Sequence, residues 1–352
     1  MLALVLLLFI SRSLSAAGYP APEPGDFVIR DFHFQSGEVL PELTIHYRTL
    51  GKPRLDAQGV VRNAVLILHG TTGNGSNFLR PEFAGELFGE GQLLDATRYF
   101  LILPDAIGHG QSSKPSDGLR ARFPRYGYRD MIEAQHRLVT EGLKVNHLRL
   151  VMGTSMGGMH TWLWGETHPE LMDALLPLAS LPTQISGRNR VWRRLIMDAI
   201  RNDPQWLNGD YHAQPQGLQI AAEVLYFMGN NPVQRQQDAP TLAQADKLLD
   251  SNITNAMQHL DANNVLYALE SSRDYDPGPG LEKIHAQLLA INFADDLINP
   301  PELGILEREI TKVKQGKAIV LPMSDQTRGH GTHTLAAVWK THLAELLRKT
   351  EQ

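Results

Sequence analysis

The sequence predicts a doubly wound α/β fold: a mostly parallel sheet with an inserted helical lid. Three observations predict it. Short, nearly continuous apolar runs recur at Ala64–Leu68 (AVLIL), Tyr99–Leu103 (YFLIL) and Leu148–Met152 (LRLVM), each closely followed by Gly, Pro or Asp. Runs of this length suit strands buried on both faces of a parallel sheet. Helix-compatible stretches separate them, notably Tyr128–Leu143, and such alternation is the pattern of a layered α/β domain. The alternation then stops at about Pro182 and resumes only at Gln287–Phe293 (QLLAINF) and Ala318–Leu321 (AIVL), so a long helical stretch interrupts one sheet.

Taken from the start, Met1 to Ile10 (MLALVLLLFI) is an unbroken apolar run, and Ser13-Leu14-Ser15-Ala16-Ala17 offers small residues where a processing site needs them. This predicts an export signal over residues 1–17 that is cleaved, leaving a periplasmic or secreted protein. The run is too short to span a membrane, although no Lys or Arg precedes it. Gly18 to Gly25 is Pro-rich and reads as a linker. Phe27–Phe34 and Leu43–Leu50 alternate as two antiparallel strands. The first part of the core then runs from 18 to 181, with Leu175–Leu178 its last strand. The lid occupies 182–283. Within it Val191, Leu195, Ile196, Ala199 and Ile200 share one helical face, and Pro204 stops that helix. The core is completed by 284–352, which ends in a helix from about His333 to Lys349.

Composition limits the function classes. A chain of 352 residues suffices for one large α/β domain with an insertion. An apolar fraction of 42% and a charged fraction of 20% are those of an ordinary globular protein with a sizeable core. The net charge of -5, without a basic stripe, argues against a nucleic-acid partner. The absence of cysteine excludes disulfides, thiolate nucleophiles and Cys-ligated zinc. Nothing in the sequence fixes the oligomeric state; it is compatible with a dimer.

The sharpest motif is Gly153-Thr154-Ser155-Met156-Gly157, directly after the run Leu148–Met152 and ahead of a helical pattern. It fits G-x-S-x-G. The flanking glycines permit a tight strand-to-helix turn that lifts the Ser to the carboxyl end of the sheet. The helix N-terminus there favours developing negative charge. A hydroxyl is a weak nucleophile and needs a base, and the base needs an acid to orient it. Candidates follow in the order Ser, Asp, His. Asp295 and Asp296 come after Gln287–Phe293; Asp296, four residues before Pro300, is the preferred acid and Asp295 the alternative. His330, between Gly329 and Gly331, lies between the last strand and the last helix and is the candidate base, with His333 its competitor. Backbone amides would bind an oxyanion: that of Met156 and that of Thr71, with Gly70 second. His69 reads as structural, and His160 and Trp162 as packing residues. Asp105 to Gly110 reads as a loop facing the site, or equally as a plain turn.

These residues resemble the homoserine O-acetyltransferase family of α/β-hydrolase-fold proteins. Gly153 to Met159 resembles the family's G-G-S-M-G-G-M elbow, and Phe123-Pro124, Arg129-Asp130-Met131 and Ala134-Gln135 the segment leading to it. Asn202-Asp203-Pro204, Trp206, Gly209, Tyr211, and Asp261-Ala262-Asn263 with Leu266-Tyr267 resemble its lid. The resemblance implies an acyl-Ser intermediate and no cofactor. It also marks two departures. The family's acetyltransferases carry an Asp directly after the catalytic His, where this chain has Gly331. They carry a lid Arg that helps grip the amino acid, where this chain has Ala222. Arg129 and Arg273 remain as possible replacements. The expectation is therefore a divergent serine hydrolase acting on a small-molecule acyl ester or thioester. Acyl transfer is the alternative, and a non-catalytic binding protein on the same fold is the rival of another class.

Overall fold

The structure is a computed structural model that describes residues 18–351, so the expected export signal at 1–17 lies outside the described residues. Among the described residues eight strands form one sheet: β1 (Glu23–His33), β2 (Val39–Leu50), β3 (Ala64–Leu68), β4 (Phe100–Pro104), β5 (Leu150–Thr154), β6 (Ala174–Leu178), β7 (Gln287–Phe293) and β8 (Gly316–Leu321). Their order is β1-β2-β4-β3-β5-β6-β7-β8. From β4 to β8 every pair is parallel, while β2 is antiparallel to both β1 and β4. The helices are α1 (Ala84–Leu87), α2 (Tyr128–Arg137), α3 (Met156–Thr167), α4 (Gly187–Arg201), α5 (Gln216–Gly229), α6 (Pro232–Asp238), α7 (Leu242–Met257), α8 (Ala262–Glu270), α9 (Ile305–Glu309) and α10 (Ala336–Lys349).

The continuous apolar runs have a direct cause. Successive side chains of a strand point to opposite faces. Leu66, Leu68, Ile102 and Val151 join a core on one face with Tyr128, Met131 and Trp162 of α2 and α3. Val65, Ile67, Leu101, Leu103, Leu150 and Met152 join a second core on the other face, with Leu87 of α1 and Trp339 and Leu343 of α10. Both faces are covered, so no polar position is tolerated. Each fully buried Leu, Ile or Val contributes about 1.5–3 kcal/mol, which makes the central strands a fixed platform.

Between β6 and β7 the chain makes a helical excursion, α4 to α8, with a third core of its own. Trp192, Ile196, Met197 and Ile200 of α4 pack with Leu218 and Ala221 of α5 and with Val265 and Leu269 of α8. The sequence-based face of α4 needs correction. Val191 is 58% exposed and Leu195 56% exposed, while Trp192 and Arg193 turn inward. Two helix boundaries also differ. The helix expected over Tyr128–Leu143 ends at Arg137 and continues as one wider turn over Leu138–Gly142. His333 falls in a single 3-10 turn, Gly331–Thr334, ahead of α10.

Candidate active site

Four chain segments meet at the carboxyl edge of the sheet: the loops after β3, β5, β7 and β8. The first functional side chain is Ser155, between β5 and α3. Its backbone has φ 55° and ψ -111°, outside the regions an L residue prefers. The strain is held by the fold around it. The Ser155 amide donates to Leu178 O at 2.9 Å. A Cβ on Gly153 would stand 2.1 Å from Gly157 O, and one on Gly157 1.9 Å from Leu68 O. The glycines are thus required by close backbone approach, which fixes the hydroxyl at the head of α3.

His330 and Asp296 are brought to that hydroxyl. Asp296 Oδ2 lies 2.8 Å from His330 Nδ1, and His330 Nε2 lies 2.8 Å from Ser155 Oγ. A carboxylate only accepts, so Nδ1 carries the proton and Nε2 is left to accept from the Ser hydroxyl. Asp296 is fixed in turn by the amides of Ile298 (2.8 Å) and Asn299 (3.1 Å) on Oδ1 and by Asn299 Nδ2 (3.2 Å) on Oδ2. Burial raises the pKa of this carboxyl. The charge and hydrogen bond of His330, with the two amides, outweigh that and leave it below the ordinary aspartate value.

The two competitors do other things. Asp295 Oδ2 accepts from the Gly329 amide at 3.0 Å and from Asn231 Nδ2, so it ties the His330 loop to the segment between α5 and α6. His333 lies edge-on to the His330 ring at 5.1 Å and does not reach Ser155. Burial and the neighbouring His330 push its pKa down to about 3, so it stays neutral and puts no charge beside His330.

The loop after β3 lies against Ser155: a Cβ on Gly70 would stand 3.4 Å from Ser155 Cβ. His69 holds the loop. Its Nε2 accepts from the Ala106 amide at 3.0 Å, so its Nδ1–H donates to Gly70 O at 2.8 Å. The loop after β4 is pinned as well, because Asp105 accepts from the amides of Gly75 (2.7 Å) and Gln111 (2.8 Å). Among the described residues the Thr71 and Met156 amides have no protein acceptor. His160 and Trp162 are buried on α3, with Trp162 Nε1 donating to Ser180 Oγ at 3.1 Å.

Ala222 is buried on α5. The two arginines that stood as replacements are already engaged. Arg129 pairs with Glu166 at 2.9 Å, and Arg273 donates to Tyr126 O at 3.1 Å. A third arginine, overlooked in the sequence, is buried: Arg193 is 2% exposed. It donates to Asn189 Oδ1 at 2.9 Å and to Ser272 Oγ at 3.3 Å and forms no ion pair among the described residues. Its position three residues before Ile196 and seven before Ile200 was the available signal. Among the described residues no three His, Cys, Asp or Glu side chains group to hold a metal, and no helix is long and apolar enough to cross a membrane.

A family model described as the alpha/beta hydrolase fold matches residues 63–303. A probable acyltransferase of Methanothermobacter thermautotrophicus is 30% identical over 281 residues, 80% of this chain and 85% of its own. A homoserine O-acetyltransferase of Geotalea uraniireducens is 30% identical over 344 residues, 87% of this chain and 90% of its own. Among solved structures, that of esterase E22 superimposes with a TM-score of 0.79 at 19% identity, over 94% of this chain and all of that one, a likeness of fold.

Proposed function

From the premise that the chain belongs to the homoserine O-acetyltransferase family of α/β-hydrolase-fold enzymes, which act on acyl esters, we propose that it is a serine esterase with Ser155, His330 and Asp296 as its catalytic residues. The observation that carries this reading is the continuous line Asp296–His330–Ser155, with both links at 2.8 Å. His330 takes the Ser155 proton as Oγ bonds to the acyl carbon. Asp296 stabilises the imidazolium, and the amides of Thr71 and Met156 receive the oxyanion. His330 then gives that proton to the leaving oxygen as the ester C–O bond breaks. Water repeats the sequence on the acyl-Ser and releases the acid. Residues 182–283 act as the lid over this site, and residues 1–17 as the export signal.

Acyl transfer to an alcohol uses the same residues, and the acyltransferase relatives keep it as the second reading. Hydrolysis is preferred because the grip on an amino acid is reduced. A zwitterion must exchange strong hydration for charged partners. Gly331 offers none, Ala222 offers none, and Arg129 and Arg273 are committed elsewhere. The test is product partition. With acetyl-CoA and homoserine supplied together, the expected outcome is free acetate, and simple acetyl esters should turn over faster than O-acetylhomoserine forms. O-acetylhomoserine as the dominant product would replace this proposal with the second reading.

A further inference from the structure

The wall of the candidate active site continues into a cavity. A helical side chain leans toward the N-terminus of its helix and shares a face with the residue four before it. Met159 of α3 therefore leans back over the turn that carries Ser155, and its amide donates to Ser155 O at 2.9 Å. The same Met159 lines a cavity of about 250 Å³. Ile298 and Asn299 line it too, and their amides are the pair that holds Asp296, at 2.8 and 3.1 Å. The cavity thus shares its walls with the supports of both Ser155 and Asp296.

Its interior is hydrocarbon. Met159, Leu181, Ile185, Leu297, Ile298 and Ile305 line it. All of these except Met159 are only half-buried, so each keeps apolar surface that a ligand would cover. Tyr275 adds a buried ring whose hydroxyl already donates to Leu181 O at 2.8 Å. The Asn299 amide group is spent as well, on Ala179 O at 2.9 Å and Asp296 Oδ2 at 3.2 Å. Polar groups gather instead at the mouth, where Gln184, Ser186 and Arg188 are exposed. Among the described residues Arg188 is the one charged side chain of the lining.

Protein interiors are close-packed, and a gap of this kind forfeits dispersion contacts along its whole wall. Beside a reacting centre such a gap is ligand space. Sites for drug-sized ligands run to roughly 300–1,000 Å³, so this smaller one suits a single short chain rather than a whole lipid. A charged or polyhydroxylated group would lose its hydration there without finding free partners.

We propose that this cavity binds the hydrocarbon chain of the substrate, and that the substrate is an ester with a short to medium, unbranched alkyl chain. The inference rests on the serine esterase reading and adds the substrate class. The chain belongs either to the acyl part or to the alcohol part of the ester, and two substrate series separate these sources.

The experiment measures kcat/KM for 4-nitrophenyl acetate, butanoate, hexanoate and octanoate, and for ethyl, butyl and hexyl acetate. The expected result is a rise along one series of about fourfold per methylene while the chain is being buried. That gives at least about tenfold between its two-carbon and six-carbon members, ending once the cavity is full. The series that rises identifies the side. Ile185→Trp fills the cavity and should shift the optimum to a shorter chain, whereas Ile185→Ala enlarges it and should shift the optimum to a longer one. Leu303 lines the rim and is 54% exposed, so Leu303→Trp narrows the mouth without disturbing a buried contact. It should also lower the six-carbon to two-carbon ratio, and it decides the matter where Ile185→Trp does not fold. Turnover in which neither series rises beyond its two-carbon member overturns the role of the cavity and leaves the esterase reading standing. So does a rise that is unchanged in the folded Trp variants, since the chain then binds elsewhere. No turnover of any ester overturns the esterase reading and this inference with it.

Discussion

Replacing Asp296 by Asn separates the two adjacent aspartates by a mechanism visible in their hydrogen bonds. In the native protein Oδ1 of Asp296 accepts from the Ile298 and Asn299 amides, and Oδ2 faces His330 Nδ1. An Asn would keep its oxygen on the two amides, because they only donate. Its NH2 group would then face His330 Nδ1 and force that nitrogen to accept. The ring proton moves to Nε2, 2.8 Å from Ser155 Oγ, and His330 becomes a donor where a base is needed. A wrong tautomer of this kind costs about 10⁴-fold in kcat in a Ser-His-Asp protease, and the same loss is expected here. The Asn299 Nδ2 donor at 3.2 Å would also lose its acceptor. Asp295→Asn behaves differently. Its oxygen can still accept from the Gly329 amide and from Asn231, so only charge assistance is lost, about 1 kcal/mol or under about tenfold in rate. Initial rates on 4-nitrophenyl acetate, with circular dichroism to verify folding, decide it. Equal losses in the two variants, or a larger loss in Asp295→Asn, would refute the assignment of the acid.

Other outcomes follow from the same structure. Buried His109 and His333 have pKa values lowered to about 3, first by burial, so between pH 6.5 and 3 the unfolded chain binds protons that the native one does not. Stability must then fall as pH drops below 6.5, each such histidine adding up to about 1.4 kcal/mol per pH unit. His333→Phe should flatten the fall in urea stability between pH 7 and pH 5; an unchanged slope would contradict its neutral burial. Gly157→Ala should fail to give folded, active protein, because its Cβ would meet Leu68 O at 1.9 Å. A folded and fully active Gly157→Ala would show that the elbow is looser than described. N-terminal sequencing of protein from its native host should begin between Ala16 and Gly18, and an intact Met1 would count against export.

The interior of the fold was legible because strands buried on both faces leave a plain mark. Ala64–Leu68 and Gln287–Phe293 were read with their observed bounds. The strand β5 was placed two residues early: Leu148 makes only an isolated bridge to Met172, and the strand runs on through Gly153 and Thr154 into the elbow. Ser155 and His330 were legible from position and flanking glycines. The spacing to Pro300 favoured Asp296 over Asp295, and the geometry supplies the reason: it is Asp296 that closes the turn onto Ile298 and Asn299 and faces His330. The face of α4 was misread. Hydropathy places arginine outside and Val191 and Leu195 inside, and the structure has all three the other way round. A pattern of apolar residues cannot announce a charge that is buried through neutral hydrogen-bond partners such as Asn189 and Ser272.

The central claim is that Ser155 is the nucleophile, and covalent labelling tests it most directly. Wild-type protein treated with a fluorophosphonate should gain one adduct by intact mass, located by peptide mapping on Ser155. Ser155→Ala should gain none, and His330→Ala should label orders of magnitude more slowly. Ester turnover by Ser155→Ala at the wild-type rate, or an adduct on another residue, would contradict the account.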